Sequence, residues 1–160
     1  MGLQYPSTIT RPVFGSVVLA YEADKTTILT ATRTSVTLES TYQAESTTVA
    51  TKTFKTSHYS KLNLDVLYTM GATETANSIE VKFEGSPDGI NFYRIPNEVA
   101  SAGTSTLTAR EFTFVGTNAA AATISIGIDI FYEYMRISAK ESGVVTNKGT
   151  AFGQVTLLGK

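Results

Sequence analysis

Apolar and polar residues alternate with a period of two along much of the second half of the chain. Leu62, Leu64, Val66 and Tyr68 interleave with Asn63, Asp65 and Leu67; Ile79, Val81 and Phe83 interleave with Glu80, Lys82 and Glu84. Successive side chains of a strand point to opposite faces, so each run predicts a strand with one face in a core and the other in water. Residues 35–42 alternate in the same way, and 47–54 more weakly. Further strands are predicted over 17–21, 26–31, 92–95, 104–115, within 123–139, and over 150–158. Residues 70–77 form a polar loop, and Glu141-Ser142-Gly143 turns the chain. No stretch repeats apolar residues at i, i+3, i+4 and i+7 over two turns, and a helical turn is expected at most at 118–123. Many short strands with turn signals every ten or so residues predict an all-β protein, a sandwich or a barrel.

The first fifteen residues are read differently. They lack a clear period, and Pro6 and Pro12 keep the backbone extended, which predicts an N-terminal arm over 1–15 ahead of one β domain over 16–160. An extended arm can add a strand to a neighbour's sheet, and Tyr5, Pro12, Val13, Phe14, Val17 and Leu19 are the residues expected to touch another chain. The alternative is that Val13, Val17 and Leu19 form the first core strand.

Composition narrows the function more than the fold. Of 160 residues, 17% are charged, below the usual quarter, and Thr and Ser fill the space. Thr is β-branched and suits a half-exposed pleated surface. The formal net charge is -1 and no basic stripe is present, so binding to nucleic acid is not expected. The absence of Cys excludes disulfides and thiolate zinc sites. The longest apolar run, 12–21, is too short to span a bilayer, so no membrane partner is expected. Residues 1–10 are uncharged and Glu22-Ala23-Asp24 follow the run, a poor match to a signal peptide.

Catalytic constellations are absent from the pattern. His58 is the single histidine, in a Ser/Thr/Tyr-rich segment without a nucleophile elbow. Glu80 and Glu84 share a strand face about 13 Å apart, beyond the roughly 5 to 9.5 Å used in glycoside hydrolysis. Asp129 and Glu133 have the same spacing. No phosphate-cradling glycine pattern or metal-ligand cluster accompanies them. The expectation is a non-enzymatic protein without cofactor or metal.

The motif Gly85-Ser86-Pro87-Asp88-Gly89-Ile90-Asn91-Phe92-Tyr93 is the densest in the sequence. Ser86 starts a turn, Pro87 presets φ, Asp88 bonds backbone amides, and Gly89 tolerates positive φ, giving a type I turn with a glycine bulge. A calcium loop would need six to eight oxygen ligands, which this spacing does not supply. Phe92 is expected to plug the core.

Strand, Gly-Ser-x-Asp-Gly-x-Asn-aromatic, strand resembles the hairpin of discoidin-like and galactose-binding-like jelly rolls. Residues 131–138, Phe-Tyr-Glu-Tyr-Met-Arg-Ile-Ser, resemble their later aromatic-x-Arg-Ile strand. From Leu62 onward the chain also resembles small β-sandwich structural proteins of tailed bacteriophages, on residues 84–92, 135–143 and 146–150. That likeness implies a single jelly-roll-like β-sandwich and a virion protein assembled in the bacterial host cytoplasm. It further implies a capsid decoration or cement role, a homotrimer, and the major capsid protein or other virion proteins as partners. The alternative is a carbohydrate- or receptor-binding module of a phage tail or baseplate, although the chain lacks the Trp that sugar-binding relatives present.

Overall fold

The computed structural model describes residues 8–21, 28–46, 48–101, 104–109, 111–115, 121–143 and 146–159. The described strands are β1 (Thr8–Phe14), β2 (Ser16–Tyr21), β3 (Ile28–Thr34), β4 (Val36–Thr37), β5 (Thr51–Lys55), β6 (Tyr59–Thr69) and β7 (Ser78–Ser86). They continue with β8 (Tyr93–Arg94), β9 (Pro96–Ser101), β10 (Thr104–Ala109), β11 (Glu111–Val115), β12 (Ala121–Asp129), β13 (Tyr134–Ser142) and β14 (Thr150–Gly159). All pairings are antiparallel.

Two sheets carry the fold, one in the order β1-β14-β6-β12 and the other β11-β7-β13-β5. Counting only these principal strands in chain order, the sheets read 1-8-3-6 and 2-7-4-5. That order is two interlocked Greek keys, the jelly roll, an architecture that viral capsid and lectin domains share. β4 extends the first sheet beside β14 and β8 the second beside β7. β2–β3 and β9–β10 form separate two-stranded ribbons.

The alternation read from the sequence selects the inner faces. Leu62, Leu64, Val66 and Tyr68 of β6 and Ile124, Ile126 and Ile128 of β12 are buried on one sheet; Ile79, Val81 and Phe83 of β7 and Met135, Ile137 and Ala139 of β13 are buried on the other. These rows join in one apolar core.

The arm expected over 1–15 is corrected in its described part. Thr8–Phe14 is the edge strand β1, paired along β14, while Tyr5 lies outside the described residues. The register shifts between Pro12 and Phe14, and the bulge lets the consecutive residues Val13 and Phe14 both face inward. Phe14 is fully buried against Gly153, where any side chain would run into its ring. Three further expectations shift. Of the helical turn expected at 118–123, residues 121–123 instead open β12, because pairing with β6 outweighs the helix preference of Ala, and 118–120 lie outside the described residues. Residues 104–109 and 111–115 are separate strands, β10 and β11. Residues 35–42 hold only the short β4, because the chain there crosses between sheets: Leu38 N donates to Gly149 O, and Glu141 N donates to Glu39 O.

Candidate functional site

The Ser86-Pro87-Asp88-Gly89 turn is built from its own atoms. Ser86 Oγ accepts from the amides of Asp88 (3.3 Å) and Gly89 (2.9 Å) and donates to Asp88 Oδ1. Asp88 Oδ1 also accepts from the amides of Ile90 and Asn91, each at 2.9 Å, and Oδ2 accepts from Asn91 Nδ2 at 2.8 Å. These backbone bonds, then those from the Asn91 and Ser86 side chains, hold the Asp88 carboxyl well below the usual carboxylate range. Gly89 has φ +76°. Both carboxylate oxygens of Asp88 are thus engaged within three residues of the turn.

Phe92 does not plug the core. It is half-buried, and the Arg136 guanidinium lies 4.2 Å from its ring centroid. Arg136 alternates with the core residues Met135 and Ile137, so Phe92 sits on the outer face of the second sheet. Close packing by a ring does occur at Gly85, where a Cβ would overlap Tyr132.

That outer face is less open than the alternation predicts. Glu84 accepts from Arg136 Nε at 2.8 Å and pairs with Lys82 Nζ at 3.2 Å; Glu80 pairs with Lys140 at 2.9 Å. The Tyr42 ring lies 4.5 Å from Lys82 Nζ and 5.1 Å from Lys140 Nζ. Burial disfavours the Glu84 charge, but the Arg136 bond and the Lys82 charge outweigh it and hold its carboxyl below the usual range. A covered row of alternating charges fastens residues 42 and 92 to the sheet.

The opposite end of the sandwich holds a polar centre that no short motif announces. Glu141 continues the inward row Met135, Ile137, Ala139 and is fully buried. Its Oε1 accepts from Tyr68 Oη at 2.6 Å, across the sandwich from β6, and its Oε2 accepts from Gly149 N at 2.7 Å. Burial, then the bond to Glu141 and the charges of Glu141 and Glu74, push the Tyr68 hydroxyl far above its usual value. Glu74, also buried, accepts the amides of Thr146 and Asn147 at 2.9 and 2.8 Å. The signal was present: Glu141 falls at an inward position of an otherwise apolar alternation.

Neither polar centre forms a reactive constellation. Among the described residues no three His, Cys, Asp or Glu side chains gather to hold a metal. His58 is exposed in the turn before β6, and Glu133 pairs with Lys55 at 3.1 Å.

Surface features remain. Ser86 pairs with Tyr134, which brings the 86–92 loop and the 130–133 loop to one end. There Ile90 is 80% and Phe131 81% exposed, with Tyr93 also exposed. In the β2–β3 ribbon, Ala31, Thr32, Arg33 and Thr34 are all exposed, as is Val18 at 62%. Adjacent residues point to opposite faces, so both faces of this stretch meet solvent. Of the residues expected to touch another chain, Val13 and Phe14 are core, Pro12 is exposed on β1 and Val17 is half-buried on β2. Leu19 lies on β2 opposite Ala31, its side chain outside the described residues. No protein-family model matches the chain, and no curated protein matches it.

Proposed function

We propose that this chain is a non-enzymatic structural protein of a bacteriophage virion, of the capsid decoration type, acting by burying surface against neighbouring subunits. The carrying observation is the β2–β3 ribbon, whose residues 31–34 expose both faces. A free two-stranded ribbon is marginally stable in water, so a partner that covers it supplies what the body does not. The jelly-roll order and the Thr-rich, weakly charged surface support the same reading, and three copies around a symmetry axis is the arrangement that the phage resemblance implies. Val17 and Arg33 face each other in register, so residues 18–32 can be replaced by an Asn-Gly turn without opening the body. The shortened protein should keep its thermal midpoint within a few degrees and lose attachment to capsids in a co-sedimentation assay. Full attachment by the shortened protein would remove the ribbon from the proposal.

A second reading, a receptor- or carbohydrate-binding tail module, draws on the exposed Phe131 and Ile90 at one sandwich end. It predicts glycan-array or cell binding that Phe131→Ser abolishes while capsid attachment is unchanged.

A further inference from the structure

Sheet edges are where another chain can extend a sandwich, because an outermost strand leaves every second N–H and C=O outside the ladder. The two sheets have four margins: β1, continued by the two-residue β4; β12; β5; and β11, continued by the two-residue β8. Three are obstructed. β1 carries Arg11, Pro12 and a bulge. β5 and β11 are each five residues long, with Lys52 and Lys55 on the first and Glu111 on the second. β12 runs nine residues without Pro, Lys, Arg or a register break, and its one charge, Asp129, is terminal. Among the described residues it pairs with β6 alone.

The phase of the β6–β12 ladder fixes what this edge offers. Ile130 N donates to Ser60 O, so the even-numbered residues of β12 bond toward β6. The N–H and C=O groups of Thr123, Ser125, Gly127 and Asp129 therefore point away from the sheet. Gly127 is a second, independent sign. Its φ is not positive, and a Cβ there would meet only Asn63 Oδ1 at 3.9 Å, so neither conformation nor packing within the chain calls for glycine. Glycine within a strand often marks the close approach of another backbone.

We propose that β12 pairs antiparallel with β12 of a second copy across a two-fold axis through Ser125. This register opposes Ser125 to its mate, Thr123 to Gly127 and Asp129 to Ala121, all outward-bonding positions, giving about ten backbone hydrogen bonds. Thr123 of one copy fills the space left at Gly127 of the other. The two Asp129 carboxylates lie about 27 Å apart along the strands, so no like charges face each other. The first sheet then runs unbroken through both copies. The contact is two-fold and stands whatever particle holds the protein; with a three-fold ring it yields six copies.

The test uses the full chain. Sedimentation equilibrium should give an even number of copies, and the amides of Thr123, Gly127 and Asp129 should exchange slowly. Ser125→Pro removes an N–H that β6 does not use, and Gly127→Lys places a charge at the seam. Each should halve the assembled mass and speed exchange of the remaining odd-numbered amides at least about tenfold, with Ile124, Ile126 and Ile128 still protected. Those even-numbered amides report folding, so a misfolded Ser125→Pro leaves Gly127→Lys to decide. Ser125→Cys carrying a nitroxide, in a chain free of other Cys, should give one short label–label distance. A monomeric or odd-numbered assembly, rapid exchange at the odd positions, or an unchanged mass in both folded variants would overturn the proposal.

Discussion

Two carboxylates at opposite ends of β13 both accept backbone amides, yet they stabilise the fold on different scales. Asp88, beyond the Ser86–Tyr134 end, bonds residues two and three positions away in an exposed turn. Glu141, near the other end, is fully buried and joins β6, β13 and the chain at Gly149. The difference is where the donors go when the acceptor is removed. Amides around Asp88 can turn to water, whereas Tyr68 Oη and Gly149 N cannot. Only the second centre couples the two sheets, and its loss should be felt by the whole sandwich.

The largest effect should come from Glu141→Leu. It orphans two buried donors at about 1–3 kcal/mol each, a loss of about 3 kcal/mol or more from a fold whose total stability is on the order of 5–15 kcal/mol. Chemical denaturation would show the midpoint falling sharply with the slope preserved. A loss below about 1 kcal/mol would mean that water reaches the site and that the contrast with Asp88 fails.

Gly89→Val comes next, and it acts on the Asp88 end through conformation. A β-branched residue at φ +76° costs about 1–3 kcal/mol, and the Tyr134 ring stands 3.4 Å from the new Cβ. The loss should be the same with or without added calcium; a calcium-dependent difference would restore a ligand role to the turn.

Tyr68→Phe removes one donor from Glu141 and keeps the ring, costing about 1–2 kcal/mol at neutral pH. It also has a pH signature. The Tyr68 hydroxyl is raised in the folded state, so its contribution is complete below the unfolded tyrosine value of about 10 and declines as pH rises above it, where only the unfolded chain ionises. Wild type should lose stability from about pH 10 upward more steeply than Tyr68→Phe. Parallel curves for the two proteins would show that neither burial nor Glu141 raises this hydroxyl.

What could be read in advance follows the same division between local and distant. The Ser-Pro-Asp-Gly turn was legible because its bonds close within three residues, and the strands with their buried rows were legible because alternation is itself a local signal. No local pattern reveals the role of Glu141, because its partners lie 73 and 8 positions away, although its place in the row Met135, Ile137, Ala139 marks it as inward. For Val13 and Phe14 the sequence leaves an arm and a core strand both open, because a bulge puts neighbours on one face, which defeats a strict period of two. The spacing places Phe92 in the core, whereas its actual face depends on how the chain returns over Arg136, a packing choice that no spacing encodes. The jelly-roll order itself rests on pairings between distant strands, which is why the pattern alone allowed a barrel as readily as a sandwich.

Asp88→Ala should have the smallest global effect and the clearest local one. The freed amides of Ile90 and Asn91 face solvent, so the thermal midpoint should move far less than for Glu141→Leu, while both amides exchange markedly faster than in wild type. The carboxyl is depressed in the folded state, so its stabilisation is present above the unfolded aspartate value of about 3.9 and is lost as pH falls through the lower folded value. Asp88→Ala should therefore flatten part of the acid decline while leaving the alkaline decline of Tyr68 untouched. If instead it lowered the midpoint as far as Glu141→Leu, the turn would have to be holding something beyond itself, and exposure would not be what separates the two carboxylates.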